Sequence, residues 1–255
     1  MKKSVMVLFA LAMSLSWSIA NAGIVISRTR IIYPGNSEEV TIQLSNKSDT
    51  PLLVQTWIDD GDATANPSTT KVPFVLTPPV FRADPGDTRR LRLMKMPNDL
   101  PEDKETLFWF NTVEIPPIPE KQSGPEGGLL QMSFRTRIKL LYRPASLPVT
   151  PMQAFSLLEF HMEEKGGENT ILIKNPSPYY MTISKFGLKS PEGIVSYTKL
   201  AEAIHKIVPP YGSLKVGFPE LKMVLNARSR IVYALINDSG GLTQMEASLS
   251  PEKDT

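Results

Sequence analysis

The chain has 255 residues, 41% hydrophobic and 21% charged, which marks it as globular rather than disordered and leaves room for two domains of common size. Its 28 Lys and Arg exceed its 26 Asp and Glu by only two, so the charge balance gives no support to a nucleic-acid partner. The absence of cysteine excludes disulfide staples and thiol catalysis.

Residues 1–22 read as a secretory leader. Lys2 and Lys3 form a basic start, residues 5–19 an apolar stretch interrupted only by serines, and Ala20-Asn21-Ala22 a small-residue cleavage site, predicting a mature chain that begins at Gly23. Losing Lys2 and Lys3 takes the basic count from 28 to 26, equal to the 26 acids, so the mature chain is nearly neutral. The apolar stretch is too short and too broken for a membrane anchor, and no later segment is apolar for long enough to span a bilayer.

From Gly23 onward the pattern is almost all β. Residues 24–33 read as a first strand ended by the turn Pro34-Gly35-Asn36, and residues 40–44 as an alternating second one. Residues 52–58 form a third, carrying Trp57 as a plug between two sheets. Asp59-Asp60-Gly61-Asp62 then opens a solvated polar loop whose spacing does not fit a calcium site. Residues 74–76 lead into Thr77-Pro78-Pro79-Val80, where two prolines remove two donors, so this piece belongs at an edge or on a crossing between sheets. A turn at Asp84-Pro85-Gly86-Asp87 precedes a strand at 88–93, and another strand covers 107–115. A loop rich in proline and glycine then runs to Gly128.

Residues 129–143 read as one long strand. Leu130, Met132, Phe134 and Ile138 share one parity with Thr136 as the only break, while Gln131, Ser133, Arg135, Arg137 and Lys139 share the other. Two readings remain open at this point. The stretch is either a core strand or an edge strand that offers its apolar row to another chain.

Seven or so strands at this spacing indicate an immunoglobulin-like sandwich over residues 23–143. A linker follows at 144–151, and strands expected at 155–160, 171–174, 179–184, 214–218, 231–236 and 243–249 make a second, smaller sandwich over 152–255. Residues 199–206 fit a short helix.

Enzyme signatures are missing. His161 and His205 lack paired ligand spacing, so no metal or other cofactor is expected, and no nucleophile elbow, phosphate loop or dinucleotide fingerprint appears.

Residues 100–117 carry Leu107-Phe108-Trp109-Phe110-Asn111-Thr112-Val113-Glu114-Ile115-Pro116-Pro117. This segment resembles the signature of the periplasmic pilus-assembly chaperones of the chaperone–usher pathway. Thr112 departs from it, standing where the family usually has an aliphatic residue, which implies altered packing rather than lost function. Further matches lie at Arg28-Thr29-Arg30, Thr77-Pro78-Pro79-Val80, Pro85-Gly86, residues 137–144, residues 175–180 and residues 236–241. They follow one another in order along the mature chain. The modest loop at 117–128 and the lack of cysteine resemble the short-loop branch.

The resemblance implies an all-β fold of two immunoglobulin-like β-sandwich domains in an L-shaped arrangement. It also implies a periplasmic, ATP-independent, non-catalytic function: binding pilin subunits by donor-strand complementation and delivery to an outer-membrane usher. By position, Arg30 and Lys139 match the pair that holds the pilin's terminal carboxylate. Leu130, Met132, Phe134 and Ile138 match the donor strand, and Glu105, Arg143 and Asp238 match a charged trio that fixes the angle between domains. Burial of Leu130, Met132 and Phe134 in a partner is expected to contribute roughly 1.5–3 kcal/mol each, with the cations setting register. The same exposed row predicts concentration-dependent pairing of free chains into a self-capping homodimer. A structural fimbrial subunit or adhesin built from similar sandwiches is the alternative reading.

Overall fold

A computed structural model of the chain describes residues 23–97, 99–118, 131–165, 168–189, 195–197, 206–217 and 230–251. The expected leader, the loop at 119–128, Leu129, Leu130, His205 and most of the expected helix at 199–206 lie outside the described residues.

Nine strands build the first sandwich: β1 (Ile24–Ile26), β2 (Arg30–Pro34), β3 (Glu39–Asn46), β4 (Leu52–Asp59), β5 (Phe74–Thr77), β6 (Val80–Ala83), β7 (Thr88–Lys95), β8 (Thr106–Ile115) and β9 (Phe134–Arg143). One sheet has the order β1-β3-β7-β5 and the other β2-β9-β8-β4-β6. Ile31, Tyr33, Leu44, Val54, Leu91, Leu93, Phe110 and Leu140 fill the space between them. Each comes from the inward parity of its strand, as period-two alternation requires.

Three expectations are corrected. The strand expected at 24–33 is two strands in different sheets, because the polar Ser27-Arg28-Thr29 step carries the chain from β1 in one layer to β2 in the other. Trp57 is buried but is not the plug between sheets. It shares parity with Leu53 and Gln55 on the outer face of β4, where the Arg135 guanidinium covers its ring at 4.8 Å. Asp59 does not open a solvated loop; it is the fully buried last residue of β4. The crossing expected at Thr77-Pro78-Pro79-Val80 is present, with a cis Thr77–Pro78 bond joining β5 in one sheet to β6 in the other.

The long strand at 129–143 is shorter than expected. Its pairing with β8 ends at Phe134 opposite Glu114, so regular strand begins at Phe134 and residues 131–133 lie beyond the ladder. Past Ile115 the neighbouring chain is Pro116-Pro117, which has no N–H to donate. The Gln131 side chain instead donates to Pro116 O at 2.9 Å.

The second sandwich opens with a helix rather than a strand. Thr150 caps the one-turn α1 (Pro151–Phe155) through a capping box with Gln153, and Pro151 sits in its first turn. The strand expected at 155–160 therefore starts later. It is followed by others: β10 (Glu159–Lys165), β11 (Glu168–Lys174), β12 (Met181–Lys189), β13 (Val195–Tyr197), β14 (Lys206–Val208), β15 (Ser213–Gly217), β16 (Arg230–Ile236) and β17 (Leu242–Pro251). These strands form one continuous sheet that wraps a core of Phe160, Ile171, Met181, Phe186, Ile231 and Tyr233. β17 joins its two faces, pairing antiparallel with β16 along most of its length and parallel with β10 at its end. Among the described residues no helix is long and apolar enough to cross a membrane.

Candidate functional site

β2 lies parallel to β9 with Arg30 in register with Lys139. Adjacent residues in a parallel pair point to the same side, and here that side faces away from the first core and toward the second sandwich. Both cations are buried, Arg30 5% exposed and Lys139 9%. Arg30 Nη1 donates to Ile236 O at 2.8 Å, and Lys139 Nζ to Thr182 Oγ1 at 3.0 Å. Both acceptors belong to the second sandwich, so the cation pair sits between the two units. Asp238 and Glu105 attract Arg30 only from farther off, both being engaged by Arg143. Among the described residues no carboxylate lies within ion-pair reach of either, and Arg30 Nε is buried without a partner. Burial, then the charge of Arg30, depresses the Lys139 ammonium to about 8. Two desolvated cations with a free donor form a site that an anion would complete.

The charged trio is assembled beside this pair. Arg143 Nε donates to Glu105 Oε1 at 2.7 Å, while its two Nη atoms donate to the Asp238 carboxylate at 2.6 and 2.8 Å. Its guanidinium also lies 5.1 Å from the centre of the Tyr179 ring. Glu105 is 2% exposed, and burial raises its carboxyl pKa, with the charge of Arg143 and the Tyr180 N–H opposing the rise. The 175–180 motif positions that N–H. Buried Asn175 donates to Tyr179 O and Pro209 O while accepting from Ser177, and the loop so fixed delivers Tyr180 N to Glu105 Oε2 at 2.9 Å. The 236–241 motif supplies both Ile236 O and Asp238. Its Gly240 has φ +86°, and a Cβ there would overlap Thr29 Oγ1, so glycine permits both the turn and the close approach of the two units.

Further along β9 the inward parity runs off the end of the core. Tyr142 and Leu140 are buried in the first core and Ile138 packs at its margin, but Thr136 is exposed, and Phe134 and Met132 are each 56% exposed. β2 covers the stretch from Lys139 to Arg143, so, among the described residues, residues 134–138 keep one main-chain edge unpaired. Phe134 and Ile138 of the predicted row thus lie on one side of β9, open at its start and sealed further along, with Met132 exposed just before it.

The outward parity of the same strand is locked down, a feature the sequence reading missed. Arg137 stacks 4.3 Å over the Trp109 ring and pairs with Asp59, which also accepts from Asn111 Nδ2 at 2.7 Å. Arg135 lies over Trp57 and donates to Asn111 Oδ1 and to Ala63 O. Burial pushes the Asp59 carboxyl pKa upward, but hydrogen bonds from Arg137, Asn111 and Gly61 prevail and hold it below the ordinary range. Thr182 and Ile236 O were also unforeseen, since no local pattern marks a partner from another sheet. Trp109 and Asn111 fall within the expected 107–115 strand, on the parity opposite the core residues Phe108 and Phe110. His161 lies 3.3 Å from Glu159.

Two immunoglobulin-like sandwiches clamped around unmatched cations, with a half-free strand leading away from them, define a protein built to bind rather than to catalyse. Residues 23–148 match the family described as pili and flagellar-assembly chaperone, PapD N-terminal domain, and residues 153–247 match pili assembly chaperone PapD, C-terminal domain. The chain is 38% identical over 229 residues to the probable fimbrial chaperone YadV of Escherichia coli K12, covering 89% of this chain and 90% of YadV. It is 35% identical over 235 residues to the chaperone protein FimB/FhaD of Bordetella pertussis, covering 91% and 90%. The crystal structure of YadV superposes with a TM-score of 0.73 at 34% identity, covering 89% of this chain and all of that one (100%). The SafB chaperone of Salmonella enterica, solved in complex with the SafA pilin, shares the fold with a TM-score of 0.70 at 24% identity, covering 91% and 99%. The chain belongs to the family of pilus-assembly chaperones, which are not enzymes.

Proposed function

We propose that the chain is a periplasmic chaperone that binds fimbrial subunits by adding β9 to them and passes them to an outer-membrane usher. The observation that carries this reading is the pairing, on one strand, of an unmatched cation at one end with exposed apolar residues at the other. Arg30 and Lys139 hold the subunit's terminal carboxylate. Leu130, Met132, Phe134 and Ile138 enter its core, while residues 134–138 pair with its backbone.

The division of labour follows from magnitudes. Burying Met132 and Phe134 contributes roughly 1.5–3 kcal/mol each, and each main-chain bond a further net ~1 kcal/mol. The ion contact is offset by desolvation, so its main effect is to fix which guest residue meets which side chain. The anchoring of Arg135 and Arg137 keeps the strand extended before the guest arrives, which lowers the ordering cost of binding. Glu105, Arg143 and Asp238 hold the angle between the two units. Residues 1–22 are removed on export, 23–143 form the subunit-binding unit, 144–151 the linker and 152–255 the second unit. When no guest is present the same free edge pairs with a second copy.

Mass spectrometry of what co-purifies with the tagged chain from periplasm tests this reading. Fimbrial subunits at near-equal amounts are expected. Recovery of the chain itself as a building block of surface fibres, with no bound subunit, overturns it.

A further inference from the structure

Gly23, the residue before β1, lies against the side chain of Glu114 on β8. The Ile24 N–H donates to Glu114 Oε2 at 2.6 Å. A Cβ built on Gly23 would overlap that oxygen and stand 2.6 Å from the carboxyl carbon, so the carboxylate occupies the space any larger residue would need. Gly23 is held from the other side as well: the Lys47 N–H donates to Gly23 O at 3.0 Å, and Ile24 is in register with Asn46 on β3. Among the described residues no Lys, Arg or His lies within ion-pair reach of Glu114.

The expected cleavage after Ala20-Asn21-Ala22 falls on the bond preceding this glycine. Hydrolysis of that bond by water leaves a carboxylate on Ala22 and a new ammonium on Gly23. Before the cut, the Gly23 nitrogen is a neutral amide with a chain attached. Afterwards it is a cation beside an otherwise unmatched carboxylate.

We propose that Glu114 is the receptor for the mature amino terminus, so that leader removal creates an ion pair that clasps the first sandwich shut. The clasp joins β1 in one sheet to β8 in the other. Glu114 is in register with Phe134 on one side and Val54 on the other, so the clasp lies level with the start of the free part of β9. Only the exported, processed chain has this closure beside its apolar row. The inference rests on the leader removal proposed above, not on subunit binding.

Intact mass of the periplasmic protein and NMR titration of its Gly23 amine separate the two. A mass beginning at Gly23 is expected; a start elsewhere overturns both the processing site and the clasp. The Gly23 amine is expected to titrate about one pH unit above the ordinary ~7.7–8.0, and to return there in Glu114→Gln. An ordinary value in the wild-type protein overturns the clasp while leaving processing intact. A chain that retains Ala-Asn-Ala before Gly23 is expected to lose the same thermal stability as Glu114→Gln, and the two changes together to lose no more. Additive losses overturn the proposal.

Discussion

Arg30 and Lys139 stand side by side across a parallel strand pair, both buried and neither within ion-pair distance of a carboxylate among the described residues. Like charges brought together away from water raise the energy of the empty protein. On the proposed function, the negative charge of a guest relieves that arrangement between the two sandwiches, where β2 begins to cover β9.

Removing either cation should therefore separate binding from stability. Arg30→Ala or Lys139→Ala is expected to abolish subunit co-purification, since truncating one side of a buried charge contact costs about 2–5 kcal/mol of affinity. Lys139→Met should leave the empty protein as stable as before or more so, because it removes a desolvated charge and keeps the stem's packing. Pull-down and chemical denaturation of the same variants check both halves. Normal capture of subunit by either alanine variant would count decisively against the anchor.

The row on β9 should behave in the opposite way to the core that it continues. Met132→Ser and Phe134→Ser are expected to change the stability of the empty protein by under about 0.5 kcal/mol, since both side chains are already exposed. The same changes should weaken subunit binding by roughly 1.5–3 kcal/mol each and reduce self-association at high concentration. Leu140→Ala, two residues beyond the open stretch and fully buried, should instead cost about 2–5 kcal/mol of stability. Sedimentation, binding titration and unfolding curves on the three variants separate these effects.

Arg143 should matter more than its partners differ in appearance. Glu105 is almost wholly buried, whereas the Asp238 side chain is 43% exposed. Arg143→Ala strands the buried carboxylate, with an expected loss of about 3–5 kcal/mol, while Asp238→Asn keeps most of the geometry and should cost about 1 kcal/mol or less. Small-angle scattering should report a wider spread of angles between the two units for Arg143→Ala. An unchanged profile would remove the trio from its assigned role.

Period-two alternation was enough to make the all-β fold, the two sandwiches and the shared parity of Met132 and Phe134 legible, but it left open whether that row was sealed in a core. What it does not carry is the identity of the neighbour. Trp57 looked like an inter-sheet plug because its hydrophobicity was read without its parity, and parity sets it on the outer face under Arg135. Asp59 looked solvated because three other acidic or glycine positions follow it, yet Arg137 and Asn111 reach it from other strands. Phe155 looked like a strand start, but Thr150, Pro151 and Gln153 carried the helix-start signal. Arg30 and Lys139 came from resemblance alone. Nothing local announces that positions more than a hundred residues apart share a register, nor that Thr182 and Ile236 complete their surroundings.

Thr112, where the sequence resemblance implied a departure and altered packing, has surroundings that suggest a consequence. It is 2% exposed, on the inward parity of β8, and its hydroxyl is buried without a partner among the described residues. Thr112→Val keeps the shape and removes the unsatisfied group, so a gain of about 1 kcal/mol is expected, or roughly 2–4 °C in Tm for a chain of this size. Calorimetry checks it; a loss of stability would mean that the hydroxyl has a partner, such as a buried water.

The depressed Lys139 ammonium makes both stability and capture depend on pH in a window set by its two pKa values. Unfolded, the side chain titrates near its ordinary 10.5; folded and empty, near about 8. Below about 8 both states are protonated and the full burial penalty stands. Between about 8 and 10.5 the unfolded chain holds more proton, so stability rises with pH, by an amount on the order of 3 kcal/mol at most across the window. Lys139→Met should flatten that rise, and the difference between the two unfolding-versus-pH curves isolates it from other titrating groups. Subunit capture should move the other way. A carboxylate guest needs the charged ammonium, so affinity should fall by up to tenfold per pH unit above about 8, as the empty site gives up its proton. Binding measured from pH 6 to 10 would refute the anchor assignment if it stayed level in the wild-type protein.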